Sequence, residues 1–93
     1  MGRETVLFNS EEKMSSIEIV AVLRRIANKI EKGKSMKLRQ GKDQVVLDFP
    51  QNMTLEIKVE DEVKKRKGTK RTFEIELEWY PGAGGKRSGV TIE

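Results

Sequence analysis

Ninety-three residues with a formal net charge of +4 and 37% charged side chains make one domain's worth of chain, with room for a modest core. Cysteine and histidine are both absent, which removes disulfides, thiolate metal sites, thiol nucleophiles and the commonest general base, and so argues against an enzyme. No apolar run approaches the ~18 residues of a membrane span and no hydrophobic leader opens the chain, so a soluble, cytoplasmic protein without a membrane partner is expected.

Thr5-Val6-Leu7-Phe8 is short and apolar and reads either as an edge strand or as an extended arm. A helix follows with agreeing signals. Ser15 and Glu18 are spaced as a capping box, with Met14 and Ile19 at the hydrophobic-staple positions. Ile19, Val22, Leu23, Ile26 and Ile30 recur at steps of three and four, which lines them along one face. Arg24, Arg25, Lys29 and Lys32 fall mainly away from that face or near the C-terminal end, where positive charge suits the helix dipole. Gly33 supplies a left-handed stop.

Beyond residue 36 the period changes to two. Met36 and Leu38, a Gly41-Lys42 turn, and Val45, Leu47 and Phe49 predict a hairpin over residues 36–49. Pro50-Gln51-Asn52 interrupts the chain. Met53, Leu55, Ile57 and Val59 then alternate with polar residues, a charged loop is expected from Asp61 to Arg71, and Phe73, Ile75, Leu77 and Trp79 form the core face of a last strand. Together these elements predict an α+β domain over residues 1–80, with one amphipathic helix packed on a four- to five-stranded antiparallel sheet whose other face is wet. Residues 81–93 read as a flexible Gly-rich tail, with Val90-Thr91-Ile92 as a short stretch of strand character. The Gly82–Ser88 segment fits neither the P-loop nor the dinucleotide fingerprint, because Tyr80 and Arg87 occupy positions those templates reserve for other residues.

Val6-Leu7-Phe8, Glu11-Glu12-Lys13-Met14-Ser15, the helix ending at Gly33, Leu38-Arg39-Gln40-Gly41 and the closing Glu74-Ile75-Glu76-Leu77-Glu78-Trp79 occur in an order that resembles the amphi-Trp domain family. This is a small prokaryotic family named for an amphipathic last strand ending in tryptophan. The resemblance covers roughly residues 6–80. It implies the architecture above and neither a substrate nor a catalytic residue. Many members are strongly acidic, so the basic stretch of this chain departs from the family.

That stretch, Lys64-Lys65-Arg66-Lys67-Gly68-Thr69-Lys70-Arg71, is the densest charge cluster. Lys64, Lys65, Arg66, Lys67, Lys70 and Arg71 are the candidates for a nonspecific nucleic-acid or polyanion contact, positioning phosphates without reading bases. The plain alternative is a solvated loop. Trp79 reads as a lid on the core in preference to a ligand platform. Glu74, Glu76 and Glu78, with Glu56 and Glu60, read as partners for Lys58, Lys37 or Arg39 in preference to a divalent-cation site. The expected function is therefore a small non-catalytic binding module without cofactor or metal. Its partner is a polyanion or, through a sheet edge, a protein or a second copy, with monomer or weak homodimer as the resting state.

Overall fold

A capping box starts the helix where the sequence places it. The computed structural model describes residues 2–82, and within them α1 spans Ser16–Glu31. The Glu18 N–H donates to Ser15 Oγ at 3.2 Å and the Ser15 N–H donates to Glu18 Oε1 at 2.9 Å, so two backbone donors at the helix start find acceptors. At the other end Gly33 takes φ 64°. Its N–H donates to the Ile30 carbonyl, and the Lys34 N–H donates back to the Lys29 carbonyl, both at 3.1 Å. That pair of bonds is a Schellman stop, and it turns Lys34 back beneath the last turn.

Four antiparallel strands follow. β1 (Met36–Gln40) pairs with β2 (Asp43–Leu47), and β3 (Thr54–Lys64) pairs with β4 (Gly68–Glu78). Gly41, at φ 61°, begins the two-residue turn of the first hairpin, a position that a type II′ turn gives to glycine. Met36 faces Leu47 and Leu38 faces Val45, so the apolar residues share one side of the hairpin. In the second hairpin Leu55 faces Leu77, Ile57 faces Ile75 and Val59 faces Phe73.

Helix and strands make an α+β chain, as expected, with two differences from the sequence reading. The strands form two separate two-stranded sheets in place of one four- to five-stranded sheet. Alternation specifies which side chains share a face but carries no information on which strands pair, and Pro50-Gln51-Asn52 separates the hairpins. Moreover, β3 and β4 run through most of the supposed charged loop, leaving only Lys65, Arg66 and Lys67 as the turn. Thr5–Phe8 has no regular structure. From residue 83 onward the expected tail, and with it Val90–Ile92, lies outside the described residues.

The chain divides into two units, Met1–Phe49 and Pro50–Glu93. In the first, Met36 is the most sheltered apolar side chain, at 9% exposure, and Phe8, Met14, Ile26, Ile30, Leu38, Val45, Leu47 and Phe49 are half-buried. In the second, Met53, Leu77 and Trp79 are half-buried, while Ile57 and Phe73 keep 59% and 63% of their surface exposed.

Candidate functional site

The six basic candidates separate into three settings once the strands are in register. Lys65, Arg66 and Lys67 occupy the turn of the β3–β4 ribbon. Successive strand residues point to opposite faces, so Lys64 and Lys70 share the polar face with Glu62. There Lys64 Nζ lies 3.3 Å from Glu62 Oε1. Arg71 stands on the other, apolar, face. Its Nε and Nη2 donate to Asp61 Oδ1 and Oδ2 at 2.7 and 2.9 Å, a fork-on-fork pair between residues directly opposed in the ladder. The bond to Arg71 holds the Asp61 carboxyl below its ordinary value and raises the guanidinium in turn.

Arg71 is thus committed to an intramolecular carboxylate, and Lys64 is half-neutralised. Lys65, Arg66, Lys67 and Lys70 have no ion-pair partner among the described residues. A basic tip on a two-stranded ribbon remains. Its side chains are exposed, and among the described residues no carboxylate pairs with Lys65, Arg66, Lys67 or Lys70.

The carboxylates of the polar face are organised differently. Lys58 lies 3.7 Å from Glu60 and 3.6 Å from Glu74, and these two anions, Glu60 first, raise its pKa. The predicted pairing with Lys58 is therefore present. Beyond it, Glu56, Glu76 and Glu78 bring carboxylate oxygens within 4.8 Å of one another, all exposed. Glu56 and Glu76 are directly opposed like charges, an arrangement that weakens strand pairing. Three solvated carboxylates on a flat face do not by themselves make a cation site.

A second basic surface lies on α1. Arg25, Asn28, Lys29, Lys32 and Lys34 line an open hollow of about 430 Å³. The sequence reading sets Arg25, Lys29 and Lys32 off the apolar face but does not join Asn28 and Lys34 to them. The signal was present in the spacing 25, 28, 29, 32, which follows one side of a helix, and in Gly33, whose left-handed turn returns Lys34 to that side.

Among the described residues, no helix is long and apolar enough to cross a membrane. No curated protein and no solved structure matches the chain. Residues 1–93, the whole chain, match the family model described as the Amphi-Trp domain. The order of capped helix, glycine-turned hairpin and tryptophan-ended strand thus has a family behind it: the chain belongs to the amphi-Trp domain family.

Proposed function

We propose that the protein is a small non-catalytic binding module that holds the phosphate backbone of nucleic acid, without base specificity, through the tip of the β3–β4 ribbon. One observation carries this assignment: Lys65, Arg66 and Lys67 are gathered at the turn, and neither they nor the neighbouring Lys70 has an ion-pair partner among the described residues. Lys64 contributes long-range attraction at reduced strength, and Arg71 fixes the ribbon in place of touching phosphate. The same proposal takes the apolar stripe of α1 as the cover for the Met36, Leu38, Val45 and Leu47 face of its own unit, which fits the shelter that Met36 enjoys.

Counterion release sets the test. Amide NMR titration of the full chain with a mixed-sequence RNA strand and a matching DNA strand, at low and physiological salt, is expected to shift residues 64–70 and to fade as salt rises. K65Q/R66Q/K67Q should abolish the shifts at the turn and lower the slope of log affinity on log salt by about 2. Binding that survives unchanged in this variant would exclude the turn as the contact.

A second copy of the chain is the alternative partner, favoured by one feature: the strands of β3–β4 are 11 residues long, and each pairs on one side only among the described residues. Such edges accept strand addition. Sedimentation at rising concentration separates the two, since backbone pairing responds far less to salt than phosphate binding does.

A further inference from the structure

The hollow at the C-terminal end of α1 brings together Arg25, Lys29, Lys32 and Lys34 around the Asn28 amide. Positions 25, 28, 29 and 32 fall within one stripe of the helix, which borders Val22 and is turned away from Ile19, Leu23 and Ile30. None of the four cations is in an ion pair among the described residues. Glu31 flanks the stripe and lines no part of the hollow. Like charges three and four residues apart cost helix stability, and here no intervening carboxylate offsets them. The helix C-terminus relieves part of that cost, since its partial negative charge favours cations in the last turn.

Geometry makes this a surface shaped for more than one anion. Residues 25 to 32 span roughly 10 Å along the axis at about 1.5 Å per residue. Each strand of a duplex advances about 3.4 Å along the axis per phosphate, so the length of the stripe matches about three such steps. Lys34 is held at the end of the row by the Schellman bonds to the Lys29 and Ile30 carbonyls through Gly33 and Lys34. Asn28 adds an amide N–H donor among the cations.

We propose that this hollow is a second phosphate-binding site, which takes a run of consecutive phosphates along the Arg25–Lys32 stripe. It shares its ligand chemistry with the proposed function, on which the choice of a nucleic-acid strand rests, but it uses residues of the helix and of its C-terminal turn in place of the ribbon.

The test uses the full chain and two probes, a short oligothymidylate strand and inorganic tripolyphosphate, followed by amide NMR at low salt. Shifts at Asn28, Lys29, Lys32, Gly33 and Lys34 are expected with the oligothymidylate, both in the wild type and in K65Q/R66Q/K67Q. They should vanish in R25Q/K29Q/K32Q/K34Q, with the salt slope lowered by about 2 to 3. Glutamine matches lysine and arginine closely in helix propensity, so circular dichroism should report an unchanged helix. If the fourfold variant does lose helix, K32Q and K34Q, at and beyond the C-cap, replace it and should each lower the slope by about 0.7.

Equal shifts with tripolyphosphate would uphold the site and assign it to phosphate runs generally; shifts with the strand alone would uphold it for nucleic acid. Shifts at the ribbon turn with silence at α1 would overturn this proposal and leave the proposed function standing. Shifts at α1 with a silent turn would do the reverse.

Discussion

β1 and β2 pair over five residues each and belong to the unit that shelters Met36, whereas β3 and β4 pair over eleven and belong to a unit with no buried side chain among its described residues. The short hairpin has a capped helix in its own unit and a Ser35 hydroxyl that donates to Asp48, tying the entry of β1 to the exit of β2. The ladder of the long ribbon supplies contacts of its own. It has three apolar pairs, the Asp61–Arg71 fork and the ion pairs around Lys58 and Lys64. Exposed ion pairs contribute little each, so within the ladder length and apolar cross-strand contacts weigh more than charge.

Replacing sheltered and exposed apolar residues in turn probes that contrast most strongly. Met36→Ala should cost about 2 kcal/mol in urea unfolding, because it empties the most enclosed position of the first unit. Ile57→Ala, at a position 59% exposed, should cost less than about 1 kcal/mol. Equal costs would show that the Leu55–Ile57–Phe73–Ile75 side is covered in solution, and the contrast between the hairpins would fall.

The helix cap gives the next largest effect. Ser15→Ala should lose about 1 kcal/mol, read as faster hydrogen exchange in the first turn of α1 with no change in β3–β4. Acid should act on the same element. The Ser15 backbone N–H, and after it the Ser15 hydroxyl, hold the Glu18 carboxyl below its ordinary 4.5. A depressed carboxylate contributes stability that is fully present above 4.5 and is lost as pH falls through the lower folded value. Protection of the first turn of α1, taken relative to the intrinsic amide exchange rate at each pH, should therefore fall below pH 4.5, and Glu18→Gln should flatten that fall.

The smallest effect belongs to the ribbon. Glu76→Lys replaces a like-charge pair with Glu56 by an opposite one and should stabilise the hairpin by ~0.5 kcal/mol. Thermal unfolding at low salt would detect it, and a lower midpoint would mean that Glu76 has an unrecognised favourable partner.

The helix was readable in full from the sequence because everything that starts and stops it is local. Ser15 and Glu18 are three residues apart, and Gly33 acts within one turn of the residues it caps. The first hairpin was readable for the same reason, through Gly41. The upper half of the ribbon was not. Asp61–Lys64 and Gly68–Arg71 look like loop by composition, and only the register sets Asp61 against Arg71 and Glu62 against Lys70. That register also divides the basic cluster, which as a string of letters looks like one patch. On α1 the spacing of the basic stripe was visible, and Gly33 announces the left-handed stop whose backbone bonds return Lys34 to it.

The Asp61–Arg71 fork has one further consequence. On its side of β3 the side chains run Leu55, Ile57, Val59, Asp61, Val63, so the carboxylate interrupts what would be an unbroken aliphatic row. A bare two-stranded ribbon with such a row is a template for stacking and fibre growth. A charge pair set among the apolar residues makes that stacking expensive while leaving the ribbon's own pairing intact. The fork therefore serves two ends at once, holding the two strands in register and setting a charged break in the aliphatic row beneath the basic tip.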